Sequence, residues 1–346
     1  MDIPVLHDEE HFLIRGPHSD LRLFLRRLGS STGSDGPSVL YVHGATFPSA
    51  LSVAYRFDGK SWRDALCASG FVVWGLDFYG FGNSDNYPEM AISADDGQPL
   101  GLAWQAAEQL LAAIRFILRH EQNKSLSLIS HSWGSMPAGL VAAEHADLIE
   151  KWVAFAPIAQ RTPTQREDEP SGPAWRLITA ADQWTRFVED VPKEESSVLR
   201  PRHFEAWAES YLATDSESTL RNPPSVKVPS GPYVEIKRAW AGKLAYDPKL
   251  VFAPVAIIRG AWDRSVPDQD ARWLFDSFSH SKSKRDIKIA RGTHLMHLEE
   301  TRFELWSESI NFLLASSEEA NNIPLKAVNS DESRTPMLET APWQNN

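Results

Sequence analysis

The chain has 346 residues, 42% hydrophobic and 23% charged, which is enough apolar material for one large core and too much for a disordered polypeptide. Its formal net charge of −11 argues against a nucleic-acid or anionic-membrane partner, because no dense Lys/Arg stripe is present to neutralise phosphates. The densest basic run, "KSKR" from Lys282 to Arg285, reads as a solvated loop, and no stretch approaches the ~18–20 apolar residues of a membrane span.

In chain order, "MDIPVLHDEEHF" lacks the basic and apolar regions of a signal peptide, so a soluble cytoplasmic protein is expected. "HFLIRG" (11–16) and "LRLFLRRL" (21–28) read as short strands joined by a Gly-Pro turn, and "SSTGSDG" (30–36) as a turn. "SVLYVHG" (38–44) is a nearly continuous apolar run, the pattern of a strand buried on both faces. A helix is expected over 59–69, carrying the single cysteine, Cys67, as a small core residue; one cysteine permits no intrachain disulfide. "FVVWGLD" (71–77) is a second buried strand. Ala103, Ala107, Leu110, Leu111, Ile114, Ile117 and Leu118 have helical spacing within 98–120. "SLSLIS" (125–130) reads as a strand, 133–146 as a helix and "KWVAFAP" (151–157) as a strand. This alternation predicts an α/β fold with a mostly parallel sheet covered by helices on both faces.

The rhythm breaks over 158–250, which is charged, Pro-rich and Trp-containing with no obvious buried strand. We read that segment as a helical lid inserted into a core made of 1–157 and 251–315. Within it, "VPSGPYVEI" (228–236) reads as a loop leading back toward the sheet. The rhythm resumes with a strand at "APVAIIRG" (253–260), a helix near 267–278, a strand at "DIKIA" (286–290) and a helix at 298–315. Residues 316–346 are polar and aperiodic and read as a disordered tail.

A parallel sheet binds ligands at the carboxyl ends of its strands. There the predicted strands deliver His43-Gly44-Ala45, then Asp77 with "FYGFGNSD", then His131-Ser132, then Asp263 after "RGAW", and finally His294 after "RGT". A serine, a carboxylate and a histidine thus meet one edge in the order Ser132, Asp263, His294. In this the chain resembles the α/β-hydrolase family: "SHSWGS" resembles its nucleophile elbow, with small residues Ser130, Gly134 and Ser135 around Ser132 where strand and helix backbones come close. Ser130 replaces the usual Gly, and Pro137 falls beyond the first turn of a helix begun at Trp133.

The resemblance implies that Ser132 is the nucleophile, His294 the base and Asp263 the orienting acid, with backbone N–H groups of Ala45 and Trp133 as the oxyanion hole. Asp268 and Asp270, the competing acids, read as helix-start residues. The competing His297 belongs to the following helix in the family's pattern. His43, His131 and Asp77 take structural roles. No HExxH or cysteine cluster supports a metal, and no cofactor is expected. Trp175, Trp184, Trp207, Tyr211, Tyr233 and Trp240 are divided between packing the lid and lining an apolar pocket for a small-molecule acyl substrate.

The expected reaction is hydrolysis of a carboxylic ester or related acyl bond. Acyl transfer by the same triad is an alternative. So is aminopeptidase or amidase activity, since "SHSWGS" is near the "GGSWGS" of proline iminopeptidase-like members but lacks both leading glycines. Family members that open epoxides or carbon–halogen bonds use Asp at the elbow, where this chain has Ser132. A non-catalytic binding protein of this fold would more naturally have lost a member of the triad.

Overall fold

Strands β1 (Glu10–Arg15) and β2 (Arg22–Leu28) pair antiparallel through a turn in which the Gly16 N–H donates to Leu21 O. The computed structural model describes residues 9–18, 20–29, 36–162 and 171–315; most of "SSTGSDG" and the segment from Ser316 onward lie outside them. Next come β3 (Ser38–Val42), α1 (Trp62–Ala68), β4 (Val72–Asp77), α2 (Ala103–His120), β5 (Leu126–His131), α3 (Ser135–Glu144) and β6 (Ile149–Phe155). The segment that follows contains β7 (Trp175–Thr179), α4 (Ala180–Val188), α5 (Pro201–Leu212), β8 (Ser225–Pro229) and α6 (Gly231–Trp240). The chain then returns through β9 (Val255–Gly260), α7 (Asp268–Ser277), β10 (Lys284–Ile289) and α8 (Arg302–Leu314).

Eight strands form one sheet in the order β1-β2-β4-β3-β5-β6-β9-β10, parallel from β4 to β10. β3, β4, β5 and β9 are buried along their whole length, as a sheet covered on both faces requires. Alternation along the strands divides the core. Leu40, Val42, Trp74, Leu128, Trp152 and Ile257 pack on the α2–α3 side; Val39, Tyr41, Ile129, Val153, Ala256 and Ile258 pack on the α1–α8 side. Cys67 is buried in the second of these, its thiol pushed up to about 12 by burial. Among the described residues, no helix is long and apolar enough to cross a membrane.

Local chemistry sets the element ends. α1 starts at Trp62 rather than at 59 because Ser61 caps it: Ser61 Oγ accepts the Asp64 N–H, and the Asp64 carboxylate accepts the Ser61 N–H. α2 starts at Ala103 rather than near 98, with the Leu102 N–H satisfied by the Gln105 side chain. Lys284 and Arg285 open β10, so half of "KSKR" is strand rather than loop.

The segment between β6 and β9 departs further from expectation. It contains an antiparallel ribbon, β7 with β8, that a purely helical reading missed, and "VPSGPYVEI" is a strand end followed by α6 rather than a loop. β7 is largely accessible and offers no apolar run; in β8 only the alternation of Val226 and Val228 around Lys227 marks a strand.

Aromatic packing holds this segment to the sheet. Trp207 is fully buried, stacks on Tyr211 at 5.3 Å, and meets Phe187 at 5.2 Å and Phe47 at 5.1 Å. Its indole N–H donates to Leu51 O at 3.0 Å. Trp207→Ala should therefore cost about 3–5 kcal/mol. Urea unfolding followed by far-UV circular dichroism measures this, and a loss below about 1 kcal/mol contradicts the assigned packing.

Candidate active site

β5 lies between β3 and β6, so its carboxyl end opens onto the middle of the sheet edge. There Ser132 adopts a left-handed backbone with φ 55°, and a 3-10 turn over Ser132–Gly134 leads into α3. A Cβ on Gly134 would stand 2.4 Å from His43 O and 2.8 Å from Val42 O, so the turn can sit this close to β3 only with glycine. Ser130 Oγ accepts the Trp152 indole N–H at 2.8 Å, a role glycine could not fill, and Ser135 Oγ accepts the Ile158 N–H at 3.1 Å. Both flanking serines are thus committed to structure. Since α3 starts at Ser135, Pro137 falls in its first turn, where a backbone N–H has no intrahelical partner to lose.

Three separated side chains meet at this turn. Ser132 Oγ lies 2.7 Å from His294 Nε2, and His294 Nδ1 lies 2.9 Å from Asp263 Oδ2. The other Asp263 oxygen accepts the N–H groups of Ser265 (2.8 Å) and Val266 (3.2 Å). With the carboxylate accepting at Nδ1–H, the Nε2 lone pair faces the serine hydroxyl. All three groups are enclosed: Ser132 is 3% exposed, Asp263 4% and His294 6%.

The competing residues are engaged elsewhere. Asp268 pairs with Arg259 and Lys288, and Asp270 with Arg161. His297 is buried with neither ring nitrogen bonded, and burial together with the neighbouring His294 pushes it down to about 3, so it is neutral. His43 is buried; its Nδ1 contacts Gly44 O at 2.7 Å and its Nε2 accepts the Phe78 N–H at 3.1 Å. His131 stacks on Phe155 and donates from Nε2 to His294 O at 3.0 Å. Asp77 accepts the N–H groups of Ser49 and Asn83 and fastens the "GFGNSD" loop. The backbone of Gly44 runs against Ser132: a Cβ there would be 3.4 Å from the serine Cβ, which brings the loop carrying Ala45 beside the hydroxyl.

Two carboxyl groups near the triad were not read from the sequence. Asp190, in the segment after α4, accepts the backbone N–H groups of His294 (3.3 Å) and Arg264 (3.4 Å), and burial raises it above the usual carboxylate range. Glu299 accepts the Thr293 hydroxyl at 2.6 Å and is pushed up to about 8 by burial. Asp190 sits in the charged stretch "FVEDVPKEE" and carries no local signal.

The expected pocket aromatics are not gathered at the triad. Trp207 and Tyr211 are buried in the core on the α2–α3 side of the sheet, Trp184 packs on Phe204, Trp175 lies under Lys227, Trp240 under Arg161, and Tyr233 is exposed between Arg176 and Lys237. Among the described residues, no hydrogen bond or ring contact joins any of them to Ser132, Asp263 or His294. A cavity of ≈ 610 Å³ is lined by Thr46, Pro48, Phe81, Asn83, Tyr87 and Val228 among others; Ser132 and the expected pocket aromatics are outside its lining. The "GFGNSD" loop does form one wall of it. Among the described residues, no group of three or more His, Cys, Asp or Glu could hold a metal ion.

Comparison with known proteins identifies the family and the fold. Residues 39–304 match the family model described as the alpha/beta hydrolase family. Among solved structures, the thioesterase domain from the curacin biosynthetic pathway aligns with TM-score 0.58 at 14% identity, over 89% of this chain and 100% of that one. The epoxide hydrolase VrEH1 from Vigna radiata aligns with TM-score 0.55 at 14% identity, over 88% and 97%. A monoacylglycerol lipase from Paleococcus ferrophilus aligns with TM-score 0.53 at 16% identity, over 84% and 98%. At such identities the likeness is one of fold. No curated protein sequence matches the chain.

Two predictions follow from the packing and charge here. Gly134→Ala should force the elbow away from His43 O, lowering both the unfolding midpoint and the reactivity of Ser132; a variant with wild-type values for both would contradict the contact. The pH dependence of stability has two limbs. Burial holds His43, His131 and His297 below the ordinary 6.5, so their contribution is complete above that value and is lost as pH falls below it, for His297 toward about 3. Glu299 has the opposite sign: its native value of about 8 exceeds the ordinary 4.5, so stability is lost as pH rises between them. Thermal unfolding should show the wild type weakening below pH ~6.5, and Glu299→Gln gaining more at pH ~8.5 than at pH ~5.5. An equal offset at both values contradicts the assignment.

Proposed function

The chain belongs to the α/β hydrolase family, and we propose that it is a serine hydrolase cleaving a carboxylic ester or related acyl bond through an acyl-enzyme. The observation that carries this reading is the continuous relay Ser132–His294–Asp263 at 2.7 and 2.9 Å. His294 takes the hydroxyl proton as Ser132 Oγ attacks the acyl carbon. The new Oγ–C bond makes a tetrahedral oxyanion, stabilised by the N–H groups of Ala45 and Trp133. The bond to the leaving group then breaks, and His294 returns the proton to it. Water, activated by the same imidazole, releases the acid and restores Ser132. Asp263 keeps the imidazole in the required tautomer and stabilises its cation.

In this reading, 158–250 is the lid and 1–157 with 251–315 the catalytic core. A serine at the elbow, rather than a carboxylate, favours acyl chemistry over the epoxide opening named for some structural neighbours. The enclosure of Ser132 and His294 favours a second reading, acyl transfer, since a site that restricts water lengthens the life of an acyl-enzyme.

A fluorophosphonate probe should form one adduct, at Ser132 by peptide mass analysis, and Ser132→Ala should abolish it. Asp263→Asn should keep the fold and cut kcat by roughly a thousand- to ten-thousand-fold. Labelling that persists in Ser132→Ala rejects the assignment. Adding alcohol or amine acceptors to an activated ester separates hydrolysis from transfer by product.

A further inference from the structure

Arg186, on α4, reaches down to the loop that follows β3. Its Nη1–H donates to Thr46 Oγ1 at 2.5 Å and, more weakly, to Gln183 Oε1 at 3.5 Å. Thr46 follows Ala45, and two residues before it Gly44 touches Ser132. The same threonine lines the ≈ 610 Å³ cavity. Arg186 is therefore a cation fastened to the proposed oxyanion loop; it touches the cavity's wall through Thr46, while Arg221 and Lys227 line the cavity itself.

Among the described residues, no carboxylate lies within ion-pair distance of Arg186, and Nε and Nη2 have no acceptor. Glu189 and Asp190 act on it only through space, and Asp190 is spent on the backbone of His294 and Arg264. Arg186 is half-buried, Gln183 beside it is wholly buried, and enclosure lowers the guanidinium from its ordinary value while leaving it charged. Other enclosed arginines here are paired: Arg26 and Arg63 with Glu9, Arg27 with Glu121, Arg259 with Asp286. A half-buried cation without a protein partner bears part of the cost of leaving water. A ligand that brings the missing charge removes that cost.

We propose that Arg186, with Thr46 and Gln183, binds a carboxylate at the far end of the substrate's acyl chain, so that the substrates are monoesters or monothioesters of dicarboxylic acids. The inference rests on the serine-hydrolase reading. Nε and Nη2 form the side-on edge of the guanidinium, which takes both oxygens of a carboxylate in parallel hydrogen bonds. One cation with two neutral neighbours balances one negative charge, which favours a carboxylate over a doubly charged phosphate. Thr46 adjoins Ala45, whose N–H serves the acyl oxygen in the proposed mechanism, so the anchor lies toward the acyl rather than the leaving group.

The test compares kcat/KM for the mono-4-nitrophenyl esters of succinate, glutarate and adipate with the same esters capped by methyl at the free carboxyl. For at least one chain length the free carboxylate should be preferred by about tenfold or more, and Arg186→Gln should reduce that ratio by about 10- to 100-fold. Arg186→Lys should retain part of it, and Arg115→Gln, at an exposed arginine of α2, none of the loss. Equal turnover of free and capped esters at all three lengths, or a preference that survives Arg186→Gln, overturns the proposal. If neither ester turns over and Ser132 resists the fluorophosphonate, the hydrolase reading has failed separately. Calorimetry with glutaramate against neutral glutaramide then judges the anion site alone: binding of glutaramate that Arg186→Gln abolishes supports it, and no binding by the wild type overturns it.

Discussion

The left-handed backbone at Ser132 is the constraint on which the site is built. A non-glycine residue in that region carries strain of order 1–3 kcal/mol and persists only where its surroundings leave no alternative. Here the surroundings are covalently and sterically stiff. β5 is buried between two parallel neighbours, Gly134 presses on the carbonyls of Val42 and His43, and Ser130 and Ser135 are tied to Trp152 and Ile158. Relaxing Ser132 would mean moving β5 against β3 or α3 against β6. The strain is thus spread over the centre of the sheet, and the hydroxyl stays 2.7 Å from the imidazole without any flexible segment having to hold it there.

Charge around that imidazole is distributed unequally. Asp263, Asp190 and Glu299 stand close enough to influence one another, and low-dielectric surroundings do not tolerate three like charges together. Donors decide where the negative charge sits. Asp263 accepts two backbone N–H groups and the imidazole, whereas Glu299 accepts one hydroxyl and has an oxygen with no partner. Asp190 bonds only backbone N–H groups at 3.3 and 3.4 Å, and its value rises. The carboxylate that faces His294 Nδ1 thus has more donors than either of its acidic neighbours. The arrangement also makes the segment between β6 and β9 part of the site's scaffold, because Asp190 fixes the backbone of both loops that carry the acid and the imidazole.

The sheet was legible in the sequence because a doubly covered parallel strand has one signature, an apolar run ending at a turn residue, and β3, β4, β5, β6 and β9 all display it. The places of Ser132 and Asp263 were legible for the same reason, since each follows such a run; His294 follows β10, which is only partly buried, and it was read from the resemblance and from the rule that parallel strands end at one edge. What failed has a common cause in exposure and distance. β7 is mostly accessible, so its side chains need not be apolar, and β8, though buried, is a five-residue strand with Ser225 and Pro229 at its ends and Lys227 at its centre. The aromatics of 175–240 were split between packing and pocket lining, yet Trp207, Tyr211 and Phe187 are taken up by the core they share with the α2–α3 side of the sheet. Asp190 and Arg186 act through tertiary contacts with residues more than a hundred positions away, for which neighbouring letters hold no record.

Arg186 also bears on how a closed site of this kind could discriminate. An apolar pocket rejects a slightly different acyl chain weakly, because a methylene is worth only about 1–3 kcal/mol. A site holding a desolvated, unpaired cation discriminates by a different term: a neutral ligand displaces the remaining water from the guanidinium and returns no charge, whereas a carboxylate restores the hydrogen bonds at the Nε–Nη2 edge. The chain as a whole is acidic, with a formal net charge of −11, so its general field repels anions rather than gathering them. Selection for an anionic acyl group would therefore have to come from contact within the cleft, where screening by salt is weakest and where Arg186 is held beside Thr46.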